Sequence, residues 1–239
     1  MSLRLFIVSL LSAVLFYLPA QAELSRGEQQ EVREIIRAYL VENPELLRDV
    51  LTDLAMREEE EALNAALEIA RQDEADGLMG NPDGDVTIYE FSDYNCGYCK
   101  RVFTALREVL EDDPMVELRV KEFPILAESS VIAARAGLAA QRQGKFADFH
   151  TIMMTAVGGI TPDSITAAAE DAGLDMKQFN QDMNDPAMNE VLGTTSALAR
   201  QLDLSGTPAL IIGNVVIPGA ISAEQIKELV ASVRAEQNS

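Results

Sequence analysis

The chain has 239 residues and carries 39 acidic against 19 basic side chains, a formal net charge of −20. A surface of this charge repels phosphate groups, so the composition argues against a nucleic-acid partner. Only two residues are cysteines, and two positions separate them. The length is sufficient for one sizeable domain with an insertion and a short accessory region.

Residues 1–22 have the features of a secretory signal peptide. Arg4 supplies a positive charge, residues 5–18 form an apolar run, and residues 20–22 read Ala-Gln-Ala, a cleavage sequence with small outer residues. The apolar run is shorter than the roughly 20 residues that a membrane-spanning helix needs. We therefore predict cleavage before Glu23 and export to the periplasm, with an uncleaved membrane anchor as the alternative.

Residues 23–80 are predicted to form a helical N-terminal extension. Apolar residues recur in it at helical spacing, in three groups: Val32, Ile35, Ile36, Tyr39 and Leu40; Leu47, Val50, Leu51 and Leu54; and Leu63, Ala66, Leu67 and Ala70. Asn43 is expected to cap the second helix, with Pro44 at its first position. Since a thin extension has little to pack against, we predict that identical chains bury its apolar stripe; a solvated spacer is the alternative. A glycine-rich linker is expected from Gly77 to Gly84.

The hydrophobic period changes at residue 85, where the pattern becomes that of alternating strands and helices. The predicted elements are a strand at 86–91, a helix at 97–112, a strand at 116–123, helices through 129–204 with starts at Thr161-Pro162 and Asp185-Pro186, strands at 209–212 and 215–217 joined by Gly213-Asn214, and a helix capped by Ser222. This order predicts an α/β protein: a thioredoxin fold over residues 81–239, with an inserted all-helical subdomain at about 127–204 and the α-helical extension before it.

Cys96 and Cys99 form a Cys-x-x-Cys motif, for which three interpretations compete. Zinc prefers four ligands, but the sequence has no further cysteine and its only histidine is His150. A structural disulfide is equally poor, because closing a four-residue loop stabilises a fold by only about 1.9 kcal/mol, against about 4.7 kcal/mol for a hundred-residue loop. Thiol–disulfide redox chemistry remains.

The position of Cys96 favours that chemistry. It falls where a predicted strand ends and a helix begins, and free backbone N–H groups at a helix N-terminus stabilise a thiolate. Cys96 is therefore expected to attack a substrate disulfide and form a mixed disulfide. Cys99, one helical turn further on, is expected to resolve that mixed disulfide by attacking Cys96.

Three segments carry a resemblance to known families. The segment Tyr89–Cys99, read as YEFSDYNCGYC, resembles the active-site segment of DsbA-family proteins, and Gly206-Thr207-Pro208-Ala209 resembles the cis-proline loop of that family. The segment Tyr39–Leu47, read as YLVENPELL, is similar to the helical extension of ScsC-like proteins, the suppressors of copper sensitivity.

The resemblance implies roles for three further residues. Glu90 would be a buried acid that takes the proton of Cys99 as that thiol becomes a nucleophile. Pro208 would be the cis-proline that faces the two sulfurs, and the backbone of Thr207 would pair with an extended substrate. Thr207 would also tune the sulfurs and substrate release. No cofactor is implied.

The remaining candidate ligands are interpreted as core residues. His150 lies on an amphipathic stretch of the insertion, where a packing or capping role is expected. Met153, Met154, Met183 and Met188 lie at scattered helical positions, where methionine usually fills a core.

Three functions fit the motif. The first is a disulfide isomerase or reductase that acts on misoxidised secreted proteins and is kept reduced by a membrane partner of the DsbD or ScsB type. The second is an oxidase reoxidised by a DsbB-like partner, and the third is a copper-tolerance protein that binds Cu(I) through Cys96 and Cys99. The dipeptide Gly97-Tyr98 and Thr207 resemble isomerases of the DsbC type, whereas DsbA oxidases typically carry Pro-His. Since some ScsC-like relatives form trimers, we predict an oligomeric, trimeric isomerase.

Overall fold

The computed structural model describes residues 24–73 and 75–238 of the chain. The helices are α1 Arg26–Glu42, α2 Pro44–Gln72, α3 Gly97–Asp112, α4 Glu128–Arg142, α5 Phe146–Thr155, α6 Pro162–Asp171, α7 Met176–Met183, α8 Ala187–Gln201 and α9 Ala223–Gln237. The strands are β1 Gly77–Gly80, β2 Val86–Ser92, β3 Val116–Glu122, β4 Ala209–Ile212 and β5 Val215–Pro218. The predicted signal peptide, residues 1–22, lies outside the described residues.

The chain forms two compact units, and the first ends at Met56. Within it, α1 begins at a capping box in which the Ser25 hydroxyl and the Glu28 carboxylate each accept the other residue's backbone N–H. Pro44 is the first residue of α2, as predicted. The side chain of Asn43 does not act as predicted, because its amide donates to the Tyr39 carbonyl at 2.8 Å and so helps to end α1.

The second unit begins at Arg57 and contains a five-stranded sheet in the order β1-β3-β2-β4-β5. Strands β2 and β3 are parallel, which requires the crossover that α3 provides, and the other neighbours are antiparallel. In this register Glu90 of β2 lies between Val120 of β3 and Leu210 of β4. The predicted strands, the Gly213-Asn214 hairpin and the Ser222 cap are all confirmed.

Side chains alternate along the strands, so the sheet has two covered faces. One face packs Ile88, Leu118 and Leu210 against Cys99 and the core of the helical insertion. The other face packs Tyr89, Phe91 and Ile211 against Leu67 and residues of α8. Because Glu90 alternates with Tyr89, it lies on the face that α3 covers, together with Cys99.

The segment predicted as a linker from Gly77 to Gly84 begins instead with a strand. β1 pairs antiparallel with β3, which makes it the edge of the sheet. Its glycines serve close approach: a Cβ at Gly77 would overlap the ring of Phe146, and Gly80 adopts a φ of 75° against the Val116 carbonyl. Glycine composition alone therefore suggested a linker where tertiary packing makes a strand.

The C-terminal part of α2 also differs from the predicted organisation. Ala66, Leu67 and Ala70 are buried against the sheet face that carries Phe91 and Ile211. The predicted boundary at residues 80/81 follows the change in hydrophobic period, whereas the compact unit starts at Arg57 because these residues share its core. The helical period of residues 57–72 does not reveal what they pack against.

The predicted helical insertion is confirmed as α4 to α8, between β3 and β4. Thr161 caps α6 through a capping box with Ser164, as expected from Thr161-Pro162. Helix α8 starts one residue later than a cap at Asp185 would place it, since Pro186 is the N-cap. The Asp185 carboxylate still accepts the Ala187 N–H at 3.0 Å.

Replacing Gly77 by alanine should destabilise the protein by about 1–3 kcal/mol, because the new methyl group must displace the fully buried Phe146 ring. Gly159→Ala is the matched control, since a Cβ there meets no atom within 4 Å. Urea unfolding of both variants measures the difference. Equal unfolding free energies for Gly77→Ala and the unmodified protein would contradict the packing described for β1.

Candidate active site

Cys96 lies at the point where the loop after β2 enters α3. It is the N-cap residue of α3, with φ −80° and ψ 112°, and its Sγ accepts the Cys99 backbone N–H at 3.3 Å. The same sulfur lies 3.3 Å from the Thr207 carbonyl oxygen. The strand-to-helix placement expected from the sequence is therefore confirmed, and the helix N-terminus directs a backbone donor at the Cys96 sulfur.

Asp93 holds the loop before Cys96 in place. Its buried carboxylate accepts hydrogen bonds from the Asn95 N–H at 2.8 Å and the Ser130 hydroxyl at 2.7 Å. It also accepts the N–H groups of Ile125 and Leu126, both at 3.0 Å. Four neutral donors satisfy one carboxylate and tie the Cys96 loop to the start of the insertion. Sequence analysis did not single out Asp93.

Cys99 and Glu90 are both fully buried behind Cys96. Burial raises the pKa of the Cys99 thiol, and the nearby Glu90 carboxylate raises it further. Burial likewise raises the pKa of Glu90 from 4.5 to about 7. Neither oxygen of Glu90 has a hydrogen-bond partner among the described residues. The structure thus brings Glu90 into the electrostatic range of Cys99 and gives it a pKa suited to proton exchange near neutral pH.

Thr207 and Pro208 face Cys96 from the loop before β4. The Thr207–Pro208 peptide bond is cis, as the resemblance implies. The Pro208 carbonyl accepts the Gly219 N–H at 2.8 Å, which fixes this loop to the segment after β5. The Thr207 hydroxyl is buried and has no partner among the described residues.

An open cavity of about 400 Å³ lies beside this loop. Its lining includes Tyr98, Leu204, Thr207, Pro208 and Pro218. The Tyr98 ring is 60% exposed, and the guanidinium of Arg101 lies 4.0 Å from its centroid. A mostly apolar groove next to the reactive sulfur can accommodate an extended segment of another chain.

His150 and four methionines of the insertion lie in or against the core, as expected. His150 is completely buried and stacks on Phe146, with ring centroids 4.9 Å apart. Met153, Met154 and Met188 are buried in the same core, and Met183 packs against it. Across residues 24–73 and 75–238, no group of three or more His, Cys, Asp and Glu side chains is arranged to hold a metal ion.

Residues 87–231 match the family described as the DSBA-like thioredoxin domain. The chain belongs to this family. The architecture above is the DsbA-like thioredoxin fold, which the solved ScsC structures share. Residues 28–61 match a second family, the copper resistance protein ScsC N-terminal domain.

Solved structures support both matches. ScsC from Proteus mirabilis in a transitional conformation is 28% identical, with a TM-score of 0.69 over 89% of this chain and 100% of that one. A thioredoxin-like oxidoreductase from Silicibacter pomeroyi is 37% identical, with a TM-score of 0.65 over 68% and 94% of the two chains. A periplasmic thioredoxin-like protein from Salmonella enterica serovar Typhimurium is 33% identical, with a TM-score of 0.62 over 72% and 96%.

Curated relatives include much longer proteins. The Na(+)/H(+) antiporter NhaA 1 of Salinispora arenicola is 26% identical over 159 residues, and the chain spans 24% of its length. Within the described part of the DsbA-like chain, no helix combines the length and apolar character needed to cross a membrane.

Glu90→Gln should remove a pH-dependent loss of stability from the reduced protein. A carboxyl group whose pKa rises from 4.5 to about 7 on folding does not reduce the stability of the folded protein below pH 4.5. The loss of stability grows as the pH rises from 4.5 to 7. Above that pH the cost levels off at roughly 3 kcal/mol. The difference in the free energy of unfolding, Glu90→Gln minus the unmodified protein, should therefore become more positive as the pH rises from about 4 to about 8.

Urea unfolding at a series of pH values, with the dithiol kept reduced, measures this difference. Any fixed cost of the buried amide cancels, because only the change with pH is compared. A constant difference between the two proteins from pH 4 to pH 8 would contradict a raised pKa at Glu90.

Proposed function

We propose that the chain is a periplasmic disulfide isomerase and reductase, which acts on misoxidised secreted proteins through Cys96 and Cys99. The observation that carries the proposal is the asymmetry of the two thiols. The Cys96 sulfur lies at the N-terminus of α3 beside the Thr207 carbonyl, whereas Cys99 is fully buried next to Glu90. The Salmonella relative is described as periplasmic, which supports the same location here.

The proposed reaction begins at Cys96. Its thiolate attacks one sulfur of a substrate disulfide, a mixed disulfide forms, and the second substrate sulfur leaves as a thiolate. In isomerisation, another substrate thiolate attacks the mixed disulfide and releases Cys96 unchanged. In reduction, Cys99 gives its proton to Glu90 and attacks Cys96, so the substrate leaves fully reduced and a Cys96–Cys99 disulfide remains.

The substrate is expected to bind as an extended segment along the Thr207–Pro208 loop. Proline has no N–H, and the Thr207 carbonyl already faces Cys96 at 3.3 Å. The adjoining cavity, with Tyr98 and Leu204 in its lining, offers apolar surface on the same side. Backbone pairing would supply affinity without demanding one sequence, which suits a catalyst that acts on many misfolded proteins.

The groups around Cys96 favour one direction of electron flow. Gly97 and Tyr98 bring no imidazole beside the sulfur, and His150, the only histidine of the chain, is buried against Phe146. Losing one charge-assisted hydrogen bond of about 1.5–3 kcal/mol makes a disulfide less oxidising by tens of millivolts. This favours a protein kept reduced by a membrane reductant of the DsbD or ScsB type over one reoxidised by a DsbB-like partner.

The N-terminal unit is proposed to hold several copies together, as a trimer. α1 has no buried residue, and Val32, Ile35, Ile36 and Tyr39 are all exposed on it at helical spacing. On α2, Leu47, Val50, Leu51 and Leu54 repeat the same spacing and are also exposed. Apolar side chains at i, i+3, i+4 and i+7 form the seam along which helices associate. The match of residues 28–61 to the ScsC N-terminal domain supports this role.

Refolding of a scrambled substrate with several disulfides, in a glutathione buffer, tests the isomerase. We expect the full chain to restore the native substrate and Cys96→Ser to abolish the effect. A chain that starts at Arg57 should keep reducing a small disulfide but should lose most isomerase activity. The truncation ends at Met56 because Ala66, Leu67 and Ala70 belong to the core of the catalytic unit.

Light scattering on the same proteins separates oligomerisation from catalysis. Ile36→Arg, on the exposed stripe of α1, should yield monomers and lose isomerase activity. Gln30→Arg adds the same charge on the polar part of α1 and should keep both properties. A monomeric full chain that rapidly oxidises dithiols in a substrate would overturn the isomerase in favour of the oxidase.

A further inference from the structure

A second group of buried polar side chains adjoins the active site. Tyr94 lies in the loop before Cys96, Glu122 ends β3, and His150 comes from α5 of the insertion. Each is at most 2% exposed. The Tyr94 hydroxyl oxygen lies 3.0 Å from Oε1 of Glu122 and 2.9 Å from Nδ1 of His150, so one hydroxyl joins the other two groups.

The number of protons limits which of these three side chains can donate and which can accept. A tyrosine hydroxyl has one proton and can donate only once. One of its two contacts must therefore use a proton from the other partner: either Glu122 is a carboxylic acid that donates to Tyr94, or His150 donates its Nδ1–H to Tyr94, which in turn donates to Oε1 of Glu122.

The surroundings favour the neutral acid. A carboxylate at Glu122 would be buried with a single donor among the described residues, and its acidic neighbours Asp93 and Glu90 would repel it. Burial, followed by these charges, raises the pKa of Glu122 well above its usual range. Lys121 cannot compensate, since its ammonium pairs with Asp76 and Asp73 on the opposite face of the sheet.

The imidazole fits the same arrangement. Burial lowers the pKa of His150 to about 3, so the ring is neutral. When Nδ1 accepts from Tyr94, the ring proton is on Nε2, which is buried and has no partner among the described residues. Leaving one neutral N–H without a partner costs less than burying a carboxylate with a single donor.

Helix α4 leaves space for this cluster at one position. A Cβ on Gly137 would lie 2.5 Å from Oε1 of Glu122 and 2.8 Å from the Tyr94 hydroxyl. Every other side chain would therefore displace the two groups from each other. The glycine allows the hydrogen-bonded pair to lie directly against the α4 backbone.

We propose that Glu122 is a second buried acid that remains protonated, donates to Tyr94, and through Tyr94 reaches Nδ1 of His150. These three hydrogen-bonded side chains position the loop that carries Cys96. Glu90 is then left as the buried carboxylate that exchanges a proton with Cys99. The inference rests on the proposed function, because it concerns the step in which Cys99 resolves a disulfide. Glu122, Tyr94 and His150 are positioning residues in this account.

The step balances through Glu90 alone. The Cys99 proton moves to the Glu90 carboxylate, the Cys99 sulfur bonds to Cys96, and the bound thiol leaves with the electrons of the broken disulfide. Glu122 neither gains nor loses a proton. If Glu122 were also charged, an additional buried negative charge would oppose the ionisation of Cys99.

Infrared difference spectroscopy of the reduced full chain tests the protonation state directly. At about pH 8.5 Glu90 is ionised, so a protonated carboxyl band that remains belongs to a group with a higher pKa. We expect Glu122→Gln to abolish this band and Glu90→Gln to retain it. Tyr94→Phe, which removes the acceptor, should shift the band without abolishing it. A carboxylate signal lost in Glu122→Gln would overturn the proposal.

Kinetics separate this inference from the proposed function. When the reduced protein meets an aromatic disulfide such as dithiobis(nitrobenzoate), the second thiol release reports the attack of Cys99 on Cys96. Tyr94→Phe should slow this phase about tenfold without moving its pH midpoint, whereas Glu90→Gln should remove the midpoint near pH 7. A shifted midpoint in Tyr94→Phe would overturn the positioning role. An unchanged profile in Glu90→Gln would overturn the proposed role of Glu90 but leave the infrared assignment intact.

Discussion

The hydrogen bond from the Cys99 N–H to the Cys96 sulfur, at 3.3 Å, is the contact on which the site depends. It exists because the chain leaves β2, turns through three residues and enters α3 at Cys96. The first helical N–H groups have no carbonyl partner within the helix, and that of Cys99 points at this sulfur. The fold thus supplies a backbone donor to the Cys96 sulfur before any substrate binds.

The environment of the second thiol is the opposite. Cys99 is buried on the inner face of the sheet with Glu90, and the described residues offer Glu90 no hydrogen-bond partner. The two sulfurs of one motif are therefore one helical turn apart but lie in unequal surroundings. In the proposed mechanism that inequality separates the roles: Cys96 attacks the substrate, and Cys99 attacks only when Glu90 accepts its proton. Two sets of hydrogen bonds hold the loop before Cys96 in place: those that the Asp93 carboxylate accepts, and the contact between Tyr94 and Glu122.

Much of this arrangement could be predicted from the sequence because it depends on local signals. The period change at residue 85, the cap positions and the Cys-x-x-Cys spacing placed Cys96 at a helix start. Family resemblance, and no physical argument, supplied the cis bond before Pro208. The structure of β1 and the roles of Asp93 and Glu122 escaped because each depends on a distant partner: Gly77 on Phe146, Asp93 on Ser130, and Glu122 on Tyr94 and Gly137. No sequence window of local length contains both members of these pairs.

The central claim, the inequality of the two thiols, is tested most directly by alkylation of the reduced native chain, with the modified cysteine located by peptide mass mapping. The account predicts that Cys96 alone reacts with iodoacetamide and that Cys99 becomes reactive only after unfolding. Equal labelling of Cys96 and Cys99 in the native protein would contradict it.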